Sequence, residues 1–138
     1  MIKSFLVLIL LIFLSINTVW SANSYDANGR KTGSIKETSL GYNKYDRNGN
    51  KTASYRKNSS GYTSYDKNGR KTGSYRKTAT GVNKYDANGR KTGSYKRNSN
   101  GTISIYDSNG RKTGTLKKTS SGSLVKYDAN GRKVGSYK

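Results

Sequence analysis

Apolar and polar residues in this chain alternate in short stretches from residue 25 onward, and each stretch is closed by a cluster of turn-forming residues. The dipeptide Tyr-Asp returns at Tyr25, Tyr45, Tyr65, Tyr85, Tyr106 and Tyr127, at intervals of 20 or 21 residues. Such a period marks a repeat architecture. Each unit carries two turn signals. In Asp66-Lys67-Asn68-Gly69, Asp can hold the backbone two residues on, and Gly fits a left-handed position, so a type I turn with a Gly bulge is predicted. Thr78-Ala79-Thr80-Gly81 has the same form with Thr for Asp, and predicts a second turn of the same kind. The intervening segments, 70–77 and 82–86, have ordinary strand lengths. The pattern predicts an all-β protein. It is an antiparallel meander of about eleven to twelve short strands, built from six β-hairpin repeats and laid out as a thin open sheet. The sixth copy ends after its first half.

These turns set an expected register. Tyr75 would face Tyr85, Tyr55 would face Tyr65, and Ile35 would face Tyr45. One face would then carry an aromatic stripe of Tyr45, Tyr55, Tyr65, Tyr75, Tyr85 and Tyr95. The extra residue in copies four and five would add a bulge near Ile105 and Lys126. In an open sheet the ends would fray, and the first copy would be the weaker.

Residues 5–16 form an apolar run behind Lys3, with small residues at Ser21 and Ala22. This predicts a secretory signal peptide over 1–21 and a repeat array over 22–138. Beyond residue 22 the branched aliphatics are three Ile, three Leu and three Val, against 12 Tyr. A conventional aliphatic core is excluded. The chain has no Cys and no His, so disulfides, nucleophile–His pairs and the common metal clusters are excluded as well. No enzyme activity, cofactor or metal is expected. The Asp residues read as turn formers. The resemblance of Asp-x-Asn-Gly to a calcium loop fails because Arg-Lys follows and the later ligands are missing. Gly-Arg-Lys-Thr-Gly lacks the Gly-Lys step and the helix of a phosphate loop.

The net charge is +20. Cations follow the first turn at Arg30, Lys31, Lys51, Arg70, Lys71, Arg90, Lys91, Arg111, Lys112, Arg132 and Lys133. More precede the second turn, as at Arg56-Lys57 and Arg76-Lys77, and alternation would make both faces basic. Lys and Arg supply charge and Tyr supplies stacking, a combination suited to anionic polymers. The expected function is binding of a polysaccharide, wall polymer or extracellular DNA by a secreted, periplasmic or cell-surface protein with no small-molecule substrate. The alternative is a matrix or fibre subunit that self-associates through open sheet edges.

The run Tyr-Asp-x-x-Gly-Arg at Tyr25, Asp26, Gly29 and Arg30, and again from Tyr65, Tyr85, Tyr106 and Tyr127, resembles the YD repeats of bacterial Rhs and related wall-associated proteins. The copy at Tyr45 has Asn50 in place of Arg. Lys31 and its equivalents replace the apolar residue that follows Arg in that family. The resemblance implies a β-hairpin array of the kind that builds shells and surface stalks, here expected to stay open.

Overall fold

Twelve antiparallel strands joined in chain order make up residues 21–138, the part of the chain that this computed structural model describes. The predicted signal segment lies outside the described residues except for Ser21, where the first strand begins. The strands are β1 (Ser21–Asp26), β2 (Lys31–Thr38), β3 (Gly41–Asp46), β4 (Lys51–Asn58), β5 (Gly61–Asp66) and β6 (Lys71–Lys77). They continue as β7 (Gly81–Asp86), β8 (Lys91–Arg97), β9 (Ile103–Asp107), β10 (Lys112–Lys118), β11 (Leu124–Asp128) and β12 (Lys133–Tyr137).

The six Asp turns form as their sequence dictates. In the third copy the Asp66 carboxylate accepts the backbone N–H of Asn68 at 2.8 Å and that of Arg70 at 2.9 Å. Gly69 closes the turn with its own N–H to the Asp66 carbonyl and takes a φ of +82°, where a side chain would be strained. The chain then bulges by one residue, so that Tyr65 lies opposite Lys71 while Ser64 lies opposite Gly73. The same step recurs in every copy.

The second turns depart from expectation. In the first three copies they are two-residue hairpins, with Asn58 paired to Gly61 and the Thr78 N–H bonded to the Gly81 carbonyl. Only copies four and five make a type I turn with a left-handed glycine, Gly101 and Gly122. That turn absorbs the extra residue. The bulges beside Ile105 and Lys126 are therefore the ones that every copy has, and Tyr106 and Tyr127 stay in register.

A tighter second turn moves the pairing by one residue. Tyr75 faces Lys84, not Tyr85, and Tyr85 faces Ser74. The expected pairs Ile35–Tyr45, Tyr55–Tyr65 and Tyr75–Tyr85 do not form. Because side chains alternate, a one-residue slip exchanges faces. Tyr55, Tyr75 and Tyr95 point to one side of the sheet with Tyr42 and Tyr62, whereas Tyr45, Tyr65 and Tyr85 lie on the other.

The sheet is not open. It closes into a barrel through β1 and β12. Crossing one hairpin takes Tyr62 to Tyr75 and then to Lys84, the equivalent of Ser64 one repeat on, a shift of two residues. Every hairpin adds the same shift, and strand tilt and stagger of this kind curve a sheet into a cylinder. At the seam Ser24 pairs with Tyr137, Tyr25 with Ser136 and Asp26 with Gly135. These are the partners that Lys44, Tyr45 and Asp46 find on β2. The chain thus meets its own end in the register of the repeat, and β1 completes the unfinished sixth copy. Backbone bonds between Asn23 and Lys138, at 2.7 and 2.9 Å, seal the junction. Neither terminal copy is left without a neighbour, so the expected fraying has no basis.

The core lies inside the barrel. Even strands contribute Ile35, Tyr55, Tyr75, Tyr95, Leu116 and Tyr137, and odd strands place Ala22, Tyr42, Tyr62, Val82, Ile103 and Leu124 opposite them. Tyrosine volume replaces the missing aliphatics. The Tyr55 and Tyr75 rings meet edge to face at 6.4 Å, and those of Tyr42 and Tyr62 lie 5.8 Å apart. Burial pushes the Tyr95 phenol up to about 12, and those of Tyr55, Tyr75 and Tyr137 upward as well, with neighbouring phenols adding to the latter three. A raised acid favours the folded state while protonated. This stability is present below the unfolded phenol value near 10 and is lost as pH rises above it. Alkaline titration followed by phenolate absorbance and circular dichroism is expected to show the inner tyrosines ionising only together with loss of sheet signal. Their ionisation within an intact sheet would contradict the packing described.

Candidate functional site

The outer wall is the face that the repeats decorate uniformly. Each Tyr of a Tyr-Asp pair lies on it, half-buried. Across one strand boundary it faces the Lys after the turn: Tyr25 opposite Lys31, Tyr45 opposite Lys51, Tyr65 opposite Lys71, Tyr85 opposite Lys91, Tyr106 opposite Lys112 and Tyr127 opposite Lys133. Across the other boundary it faces a hydroxyl residue: Ser34, Ser54, Ser74, Ser94, Thr115 or, at the seam, Ser136.

Two residues beyond that hydroxyl a second cation leans over the ring. Lys36 Nζ lies 5.5 Å from the Tyr45 centroid, the Arg56 guanidinium 5.1 Å from Tyr65, the Arg76 guanidinium 4.9 Å from Tyr85 and Lys117 Nζ 5.3 Å from Tyr127. At the seam Lys138 Nζ lies 5.5 Å from the Tyr25 ring, so closure preserves the motif. Each such contact is worth roughly 0.5–1 kcal/mol at an exposed site, enough to orient the cation but not to neutralise it.

The result is a belt of phenol rings, each facing a post-turn Lys and a hydroxyl, with a second cation over Tyr25, Tyr45, Tyr65, Tyr85 and Tyr127. Open grooves mark the belt. One, of about 340 Å³, is lined by Lys91, Ser94, Lys96, Tyr106 and Gly110 among others, and the next, of about 320 Å³, by Lys112, Thr115, Lys117, Tyr127 and Gly131. The residues correspond one repeat apart.

Arg30, Lys31, Lys51, Arg70, Lys71, Arg90, Lys91, Arg111, Lys112, Arg132 and Lys133 are all exposed, and all lie at the barrel end that carries the six Asp turns. The structure therefore gathers the post-turn cations into a ring. It divides the aromatic stripe, leaving Tyr45, Tyr65 and Tyr85 in the belt and placing Tyr55, Tyr75 and Tyr95 in the core. Sequence reasoning missed Tyr25, Tyr106 and Tyr127 as belt members, although the recurring Tyr-Asp dipeptide marks them. The expectation of two basic faces gives way to a basic outer wall and an inner face that is mostly core. Lys57, Lys77, Arg97 and Lys118 remain exposed at the far rim.

Outward strand positions are mostly Ser, Thr, Asn, Lys, Arg and Tyr, with Val125 an apolar exception, whereas a lipid-embedded barrel presents an apolar band. Among the described residues no helix is long and apolar enough to cross a membrane, and no group of acidic residues is arranged to hold a metal ion. No family model matches the chain, and no curated protein or solved structure shows significant similarity to it.

Proposed function

We propose that this barrel is a non-enzymatic, secreted or cell-surface protein that binds an anionic polymer around its outer wall, through Lys, Arg and Tyr. The observation that carries this reading is the closed belt, in which the Tyr of each Tyr-Asp pair faces a Lys in all six copies. A single polymer can engage several equivalent subsites, and repetition of weak contacts yields avidity. The polymer class is an acidic polysaccharide, a wall polymer or extracellular DNA. Export rests on the apolar segment at residues 5–16. A non-catalytic role is supported by the use of the Asp carboxylates, which accept backbone N–H groups in the turns. The repeat is read as a YD-type hairpin unit carried to closure. Self-assembly through sheet edges finds no support, since every described strand has two neighbours.

Binding to heparin and to DNA is the test. Affinity is expected to fall at least a hundredfold between roughly 50 and 200 mM salt, as released counterions are restored to the polymer. Replacing Lys71 and Lys91 with Ala is expected to lower both the affinity and its salt dependence. Binding that ignores salt, or no binding at all, would retire the proposal.

A further inference from the structure

The lumen has two unlike halves. Toward the second turns it is packed with Tyr and aliphatic side chains. Toward the Asp turns the inward residues are Ser24, Lys44, Ser64, Lys84, Ile105 and Lys126 on odd strands. The inward positions opposite them on even strands are Gly33, Ala53, Gly73, Gly93, Gly114 and Gly135. At this level half of the wall carries almost no side chain. An eight-stranded barrel is just filled by its side chains, whereas twelve strands enclose a wall of roughly 10 Å radius, so small residues here leave room in the lumen.

The three lysines lie on β3, β7 and β11, four strands apart in each direction around the closed sheet. They approach the barrel axis from three equally spaced sides. Lys44 pairs across the strands with Ile35 and Ala53, Lys84 with Tyr75 and Gly93, and Lys126 with Leu116 and Gly135. Below them lies a floor of phenols. Burial raises the Tyr55, Tyr75 and Tyr137 phenols, and the nearby Tyr95 phenol adds to each. The Tyr137 hydroxyl is buried and has no hydrogen-bond partner among the described residues, and Tyr137 pairs directly with Ser24 on the lysine level. Three inward lysines, two serines and a phenol donor at one level of the lumen match a compact multivalent anion better than a polymer chain.

We propose that the Asp-turn half of the lumen is a binding site for a phosphate or sulfate group, held by Lys44, Lys84 and Lys126. This site is separate from the outer belt. It also departs from the expectation that the protein takes no small ligand.

The chain supplies its own control, since Ser already occupies the equivalent position in two of the six repeats. A Lys44→Ser, Lys84→Ser, Lys126→Ser variant keeps the wall residue that β1 and β5 carry. Inorganic phosphate and glucose 6-phosphate are titrated calorimetrically into the full chain at 150 mM salt, where exposed charges are largely screened. The expected result is saturable binding, weakened at least tenfold in the triple variant and unchanged in a Lys71→Ala, Lys91→Ala belt variant. Binding of both probes assigns the site to the phosphate group itself, of inorganic phosphate alone to the free ion, and of the ester alone to a phosphosugar. Equal affinity in the triple variant, loss in the belt variant, or no saturable binding of either probe would overturn the site. Heparin binding that survives the triple variant keeps failure here distinct from failure of the belt.

Discussion

Removing residues 133–138 is expected to abolish the single cooperative unfolding transition of the barrel. These few residues pair with both β11 and β1, and they bring Tyr137 into the core. Without them the cylinder opens, two strand edges lose their partners and the inner tyrosines at the seam meet water. Burial of one such side chain alone is worth about 1.5–3 kcal/mol, and the ladder and ring closure are lost with it. Urea unfolding followed by tyrosine fluorescence measures the loss. Sedimentation is expected to show concentration-dependent association, because exposed edges pair with one another. A truncated chain that unfolds at the original midpoint and stays monomeric would mean that closure contributes nothing. The fibre-like behaviour suggested by the sequence belongs, on this account, to the opened form.

The second large effect separates two tyrosines that look alike in sequence. Tyr75→Ala is expected to cost about 3–5 kcal/mol, since it empties a fully enclosed position, 1% exposed, against Tyr55, Tyr62 and Lys84. Tyr85→Ala removes a ring of the outer belt that is covered mainly by Arg76. Its stability cost is expected to stay near 1 kcal/mol, while heparin affinity falls. Chemical denaturation of both variants beside a heparin titration makes the comparison. Equal destabilisation would place both rings in one environment and refute the register.

The contrast shows where local chemistry was enough to read the fold. Asp66, Asn68 and Gly69 specify their turn within five residues, so strand number, strand limits and antiparallel order were legible. The second turn was not. Ser59-Ser60-Gly61 and Asn98-Ser99-Asn100-Gly101 both end in Gly, yet the first closes as a two-residue hairpin and the second holds Gly101 left-handed. That single residue decides which tyrosines turn inward. Closure was hidden for a related reason. It follows from a stagger summed over all hairpins, and no one unit displays it.

The post-turn cations could be listed from sequence, but their gathering at one end could not, because it needs every Asp turn on the same rim. The lumen lysines were harder still. Lys44, Lys84 and Lys126 precede Tyr-Asp just as Ser24, Ser64 and Ile105 do, and they face inward because they stand two residues beyond the core residues Tyr42, Val82 and Leu124, whose burial depends on the register of the whole sheet.

A seam in the register of the repeat also governs how such a protein can change size. An open solenoid lengthens by one module and leaves the others undisturbed. Here a duplicated module would have to enter the circumference. The strands would keep their tilt, because each hairpin brings its own stagger, but the tyrosine interior would need refilling across a wider bore. The number of modules is therefore set by the bore that the side chains can fill, as the number of staves is set by the girth of a cask.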